Sequence, residues 1–418
     1  MKKIIITGNG PLHGTIKISG AKNAALAILA GTILIPGKTT LRNVPNLLDI
    51  INIIRVLRAL GIRAEYSASQ PNTVDIWNDD VKHVAPYELV TKMRASFFII
   101  GPILARKGLA KVPLPGGCAI GSRPVNLHIK GLEDLGAKVE MEHGFVIVRA
   151  KKLIGAKVYI DFPSVGATET VMMAATLAEG ETIIENAARE PEIVDLANFL
   201  NLAGAKITGA GTEEIHIQGV KQLFPVEYSI IPDRIEAGTY VAAVAVSGGE
   251  ARIENVVVDH IEATIRKFKE AGVNIQVEGS TLIVSSDKNF KAIDIKTMPY
   301  PGFPTDMQSQ LAVLLSLAHG TSVVTETVFE NRFMYVNELK RMGASIKLEG
   351  QSAIITGVPG LSSAPVKVSD LRAGAALVIA GLAASGETII EDRDHHLERG
   401  YEKLEQKLSG LGAKIKIV

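Results

Sequence analysis

The sequence holds very little that could staple, steer or anchor it. One cysteine, Cys118, in 418 residues excludes an internal disulfide and fits a reducing compartment, so the cytoplasm is the expected location. Neither charge is in excess. The 45 lysines and arginines face 44 aspartates and glutamates, which leaves no global field to hold nucleic acid or an anionic membrane. An anionic ligand must then be met by local clusters. Long apolar runs are missing too: the longest, 24–35, is interrupted by Gly31 and Thr32 and is too short to span a bilayer, and 4–6 is too short for a signal-peptide core. No His-Glu-x-x-His, paired Cys-x-x-Cys or Gly-x-x-x-x-Gly-Lys pattern occurs, so metal and nucleoside-triphosphate chemistry have no support.

What is present is a hydrophobic fraction of 47% in a chain longer than a single core usually serves, which predicts two well-packed domains. One octet pattern recurs six times: Leu or Phe, two variable residues, a small or apolar residue, Gly, a small apolar residue, and an apolar residue two further on. Its glycines are Gly61, Gly136, Gly204, Gly272, Gly343 and Gly412. Leu132-Glu-Asp-Leu-Gly-Ala-Lys-Val139 reads as a helix that ends at a C-cap glycine and runs into a strand. Upstream of each copy, an apolar helix stops at another glycine: Gly37, Gly108, Gly180, Gly249, Gly320 and Gly386. These upstream helices are apolar on nearly every side and should be buried, while segments such as Glu181-Thr-Ile-Ile-Glu185 alternate as half-buried strands do. The period, roughly 70 residues, is too long for a solenoid and predicts small mixed α/β units in two groups of three. The prolines of 225–232 mark the expected boundary between the groups.

Buried helices begin with unpaired backbone N–H groups and a partial positive charge, so their first turns are candidate anion sites. Those turns carry Lys22 and Asn23, Arg94 and Ser96, Ser164 to Thr168, Asp233 and Arg234, Thr305 and Asp306, and Asp370 and Arg372. Ser164, Asp233, Thr305 and Asp370 are also ordinary N-cap residue types. Arg94 and Arg372 oppose the favourable dipole sign unless an anion compensates them. The segment 113–124 has three glycines and three prolines around Cys118, too broken for helix or strand, and reads as a loop or lid. A lone cysteine is by default a small buried hydrophobe. In this loop, with Arg123 near, it reads instead as an exposed thiol favoured toward thiolate, and the spacing leaves acid, base and nucleophile open.

Pro115-Gly-Gly-Cys118-Ala-Ile-Gly-Ser-Arg123-Pro124 resembles the cysteine loop of the UDP-N-acetylglucosamine 1-carboxyvinyltransferases, members of the enolpyruvyl transferase family. The resemblance extends to Ser19-Gly-Ala-Lys22-Asn23, Thr91-Lys-Met-Arg94-Ala-Ser96, Arg189-Glu-Pro-Glu-Ile-Val-Asp195, Pro301-Gly-Phe-Pro-Thr-Asp306, Glu326-Thr-Val-Phe-Glu-Asn-Arg332 and Arg399-Gly-Tyr401. It implies a two-domain inside-out α/β barrel of mixed α and β content, each domain built of three repeated units with buried helices inside surrounding sheets. One domain would be 22–231, the other 1–21 with 232–418, and the active site would lie in the cleft between them.

The resemblance also implies a reaction: the 3-hydroxyl of UDP-N-acetylglucosamine adds to C2 of phosphoenolpyruvate while C3 is protonated, and phosphate then leaves. It places Cys118, Asp306, Lys22, Arg123 and Arg399 in the chemistry, Lys22 and Arg399 as phosphoenolpyruvate ligands and Arg123 near the phosphate. Asn23, Arg94, Pro124, Val125, Asn126, Leu127, Ser164, Val165, Gly166, Val328 and Arg372 would join Asp306 in substrate binding. Asn126 stands where many members have Asp, and Phe162-Pro163 where some have Lys-Val. No metal or organic cofactor is expected; the partners are the two small-molecule substrates. Two alternatives stand beside this reading. A 5-enolpyruvylshikimate-3-phosphate synthase shares the fold and donor, and the cysteine loop and Arg-Pro-Val-Asn-Leu segment argue against it. A non-catalytic UDP-sugar sensor is opposed by the joint retention of Cys118, Asp306, Lys22 and Arg399.

Overall fold

The computed structural model describes residues 2–8, 10–91, 93–115 and 125–418, the side chains of Lys2 and of 94–96 excepted. Six apolar helices occupy its interior: α1 (Lys22–Gly31), α2 (Ile100–Lys107), α3 (Val165–Ala175), α4 (Arg234–Ser247), α5 (Gln308–Leu315) and α6 (Leu371–Ala383). Apolar through most of their length, these helices have little to give to water, although α2 ends in half-buried Arg106 and exposed Lys107. In α5 every residue is buried, and in α4 every residue after Arg234.

Each buried helix is followed by a strand whose alternation sets one face inward. Glu181–Glu185 buries Thr182 and Ile184 and exposes Glu181. An amphipathic helix and a hairpin come next. Leu48–Ala59 is one such helix, turning Ile50, Ile53, Val56 and Leu57 to the core. The glycines that punctuate this order are required by backbone geometry. All twelve residues of the two glycine series have positive φ, from +68° at Gly108 to +112° at Gly320, a region closed to most side chains.

Among the described residues the strands form six sheets, three in each of two units. One unit comprises residues 2–19 with Pro232–Val418; the other comprises the described residues from Gly20 to Ile231. Each unit has its own hydrophobic core. Five of the sheets share one plan, illustrated by Thr321–Thr325: it lies parallel to Ile295–Lys296 and antiparallel to Ser352–Thr356, which pairs with Ser345–Glu349. In the three-stranded sheet of Leu109–Pro113, Phe145–Arg149 and Lys138–Glu142 the parallel strand is reduced to a single bridge, Val84 to Lys111.

The last sheet is completed by the beginning of the chain. Lys2–Thr7 sits antiparallel between Glu387–Asp392 and Lys414–Ile417, where the second hairpin strand stands in the other units. Lys3 and Val418 exchange backbone hydrogen bonds of 2.8 and 2.9 Å. A second device recurs: Asn43, Asn186 and Asn255 follow their strands at positive φ, and each Nδ2 donates to the carbonyl of the neighbouring parallel segment, at Ile230, Ile160 and Ile18.

Helix packing is close enough to dictate residue size. A Cβ on Gly101 of α2 would lie 2.4 Å from the Thr170 carbonyl oxygen of α3, so only glycine lets these backbones approach. In the other unit α4, α5 and α6 pack on one another. Among the described residues no helix is long and apolar enough to cross a membrane.

Candidate active site

The first turns of the buried helices carry the polar side chains, and within each unit these chains are held by specific partners. In the unit running from Gly20, Lys22 opens α1 with 9% of its surface exposed, and its Nζ lies 2.7 Å from Asp49 Oδ2. Asp49 sits in the first turn of Leu48–Ala59, where a carboxylate suits the helix dipole. Lys22 is unfavourable at the start of its own helix, and Asp49 supplies the compensating charge. Asn23 beside it is exposed.

Ser164 caps α3, its hydroxyl accepting from Ala167 N at 3.4 Å. Val165 and Gly166 form the first turn, and Gly166 leaves room for His128, whose Cε1 would stand 3.0 Å from a Cβ there. His128 belongs to the helix Asn126–Asp134, capped by Val125 and begun by Asn126 and Leu127. Its Nδ1 pairs with Thr170 Oγ1 at 2.8 Å, so the Val125 to Leu127 turn and the α3 start are joined through one imidazole.

In the other unit the structure brings Asp306 and Arg372 together. Asp306 lies in the 3-10 turn Thr305–Met307 ahead of α5, and Arg372 in the first turn of α6. Arg372 Nη2 donates to Asp306 Oδ2 at 2.9 Å, and Arg332 Nη2 donates to Oδ1 at 2.7 Å. The two guanidiniums are buried, with side-chain exposures of 5% and 3%, while the carboxylate keeps 25%. Burial disfavours the Arg372 charge, yet Asp306, Tyr401 and Asp233 together hold its pKa above the ordinary value. The anion that an N-terminal arginine calls for is here a carboxylate of the protein itself. Asp233 and Asp370 cap α4 and α6 as their residue types suggest. Thr305 does not: α5 is preceded by the 3-10 turn, and the Thr305 hydroxyl donates to Glu326 at 2.8 Å.

Glu326 organises the segment holding Val328. Buried at 1% exposure, it accepts from Thr297 and Thr305 hydroxyls and from the backbone N–H groups of Val328 and Phe329, which fixes the turn before Arg332. Arg399 closes the 3-10 turn Leu397–Arg399 and is half-buried, two residues before Tyr401. Cys118, Arg123 and Pro124 lie outside the described residues, and of Arg94 only the backbone is described, at the start of the 3-10 segment Arg94–Ile99.

Several polar residues matter to this geometry beyond those the sequence singles out. Asp49 was findable as the one charged residue on the apolar face of its helix. Glu326 and Tyr401 fall inside recognisable motifs, although their partners could not be read from spacing. Glu169 is a carboxyl inside an otherwise apolar helix; burial, with Glu192 and Glu190, pushes its pKa well above the carboxylate range. Asp195 is also pushed up, to about 6, by burial; the Tyr228 hydroxyl at 2.5 Å and Ile231 N–H oppose the shift, and Glu192 adds to it.

Comparison with known proteins agrees from end to end. Residues 6–408 match the family model of EPSP synthase (3-phosphoshikimate 1-carboxyvinyltransferase). The chain is 56% identical to UDP-N-acetylglucosamine 1-carboxyvinyltransferase 1 of Caldanaerobacter subterraneus subsp. tengcongensis, over 99% of each chain. It is 57% identical to UDP-N-acetylglucosamine 1-carboxyvinyltransferase 2 of Carboxydothermus hydrogenoformans, over 100% of each. The crystal structure of the enolpyruvyl transferase NikO from Streptomyces tendae has the same fold, with a TM-score of 0.90 at 24% identity over 100% of this chain and 99% of that one. EPSP synthase from Acinetobacter baumannii follows at 0.76 and 17%, over 100% of each.

Proposed function

The chain belongs to the UDP-N-acetylglucosamine 1-carboxyvinyltransferases of the enolpyruvyl transferase family, and on that premise we infer that it transfers the enolpyruvyl group of phosphoenolpyruvate to the 3-hydroxyl of UDP-N-acetylglucosamine. This is the step that commits the sugar to peptidoglycan precursors. The observation that carries the reading is the end-to-end identity with relatives bearing that name. Shikimate 3-phosphate as acceptor is disfavoured, because the relatives named for that chemistry share the fold at much lower identity.

The chemistry follows from the residue types. Addition of a hydroxyl to C2 needs a base on the acceptor side and an acid at C3. Asp306 suits the first role: its carboxylate is partly exposed, anionic, and fixed by two buried guanidiniums. Cys118, in its glycine-rich loop, suits the second. Lys22, Arg123 and Arg399 hold the phosphate and carboxylate of the donor and stabilise the phosphate as it leaves. Arg94, Pro124, Val125, Asn126, Leu127, Ser164, Val165, Gly166 and Val328 contact the acceptor, Asn23 contacts substrate, and Arg372 joins the anion-binding group. Phosphoenolpyruvate is a co-substrate, and the reaction calls for no metal or organic cofactor.

The test is inorganic phosphate release by the purified protein with phosphoenolpyruvate and, separately, UDP-N-acetylglucosamine, shikimate 3-phosphate or no acceptor. Release with the UDP-sugar alone is expected. Release with shikimate 3-phosphate would move the acceptor assignment, and no release with either would revive a binding-only role.

A further inference from the structure

A hydrogen-bond chain behind Asp306 has its proton directions fixed by the partners available. The Thr239 hydroxyl, one turn into α4, donates its only proton to the Ile235 carbonyl at 2.8 Å. Its oxygen can therefore only accept, and two groups reach it: Gln310 Nε2 at 3.2 Å and the Tyr401 hydroxyl at 3.1 Å. Tyr401 has one proton, and its other neighbour, Arg372, has no acceptor to offer. The Tyr401 proton thus points to Thr239, and its oxygen lone pairs face Arg372 Nη1, which donates at 3.0 Å. The opposite arm of the same guanidinium grips Asp306 Oδ2. The Arg372 guanidinium also lies 5.5 Å from the centre of the Tyr401 ring, and the Ser309 hydroxyl binds the Arg372 carbonyl at 3.1 Å. Gln310 Nε2 closes the circuit by donating to the Asp306 carbonyl at 2.8 Å.

We propose that Tyr401 is a positioning residue for the acceptor-side base: it aims Arg372, which orients the Asp306 carboxylate toward the incoming hydroxyl, and Thr239 sets the direction in which Tyr401 acts. The proposal rests on the reading of Asp306 as that base. The reacting carboxylate is the partly exposed member of the set, and the two guanidiniums that hold it are buried. A guanidinium held on one arm only can swing about its Cδ–Nε bond, and its grip on Oδ2 would loosen, so that the carboxylate could pivot about the Oδ1 held by Arg332. Small errors of aim at a reacting atom are expensive in rate.

The experiment compares kcat and KM in the phosphate-release assay for wild type, Tyr401→Phe, Thr239→Val, Thr239→Ser and Asp306→Asn. Tyr401→Phe keeps the ring over the guanidinium and removes only the acceptor. It should lower kcat about ten-fold while KM for either substrate stays within about two-fold, the pattern of an interaction made in the transition state. Thr239→Val conserves volume and should give a similar loss; Thr239→Ser, which restores the hydroxyl, should recover most of it. The double variant Tyr401→Phe/Thr239→Val should be no worse than Tyr401→Phe, since both cut one chain. Wild-type kcat in Tyr401→Phe, with Asp306→Asn inactive, would overturn the positioning role alone. Equal losses in Thr239→Val and Thr239→Ser would also overturn it, pointing to packing. Full turnover by Asp306→Asn would instead remove the base reading on which the proposal stands.

Discussion

Lys22 Nζ and Asp49 Oδ2 lie 2.7 Å apart, each at the start of a different helix and each almost wholly buried. The pair places a cation at a helix N-terminus that would otherwise repel it, and it leaves the ammonium oriented by a carboxylate. Removing one member of a buried pair leaves the other charge poorly compensated, at a cost of about 3 kcal/mol or more. Asp49→Ala is expected to lower unfolding stability by that order and to weaken phosphoenolpyruvate binding. Denaturant melts and titration with phosphoenolpyruvate measure the two effects; a variant unchanged in both would leave Asp49 without a role.

The thiol of Cys118 is expected to matter for chemistry and little for acceptor binding. Cys118→Ser should abolish turnover while UDP-N-acetylglucosamine still binds, because a serine hydroxyl is a far weaker acid. Cys118→Asp should retain turnover and escape thiol-directed epoxides such as fosfomycin. Isothermal titration and inactivation kinetics separate these outcomes, and near-normal activity in Cys118→Ser would end the proton-donor assignment.

Asp195 ties stability to pH. Its folded carboxyl, pushed up to about 6, binds a proton more tightly than the unfolded one near 3.8, so protonation favours the fold. The stabilisation is full below about pH 4 and is lost as pH rises through about 6, with a size of about 3 kcal/mol. Asp195→Asn removes this dependence. The stability difference between wild type and variant should therefore move against wild type by most of that amount between pH 4 and pH 7; a constant difference would contradict it.

The α2–α3 crossing offers a test of packing remote from the chemistry. Gly101→Ala drives a methyl to within 2.4 Å of the Thr170 carbonyl, and backbone cannot yield as a flexible side chain does. A loss of about 2 kcal/mol or more is expected, read as a lower Tm. A Tm equal to wild type would mean that the helices separate at no cost.

Much of the fold was legible because its signals are local. Glycine at positive φ, all-apolar helices and alternating strands each follow from a few consecutive residues, and the twelve glycines fall where the backbone demands them. Pairing across long distances was not legible from the residues alone. Nothing in the runs around Asn43, Asn186 and Asn255 says which carbonyl each amide will bind. The same holds at the candidate site. Arg372 advertised a need for an anion, but that Asp306 would supply it, shared with Arg332, depends on how α5 and α6 pack. Tyr401 and Thr239 are 162 residues apart and meet only in the folded unit.

The sheet that joins Lys2–Thr7 to Glu387–Asp392 and Lys414–Ile417 has a consequence for biosynthesis. The described residues between Gly20 and Ile231 share one hydrophobic core, whose members are all made before the second unit's helices. Lys2–Thr7 has no partner in its sheet until the strands at 387–392 and 414–417 have been translated, a delay on the order of half a minute at ordinary elongation rates. During that interval Ile4, Ile5 and Ile6 form a short sticky β-segment. The lysines at 2 and 3 that precede it are the charged flanks that keep such a segment from pairing with the wrong chain while it waits.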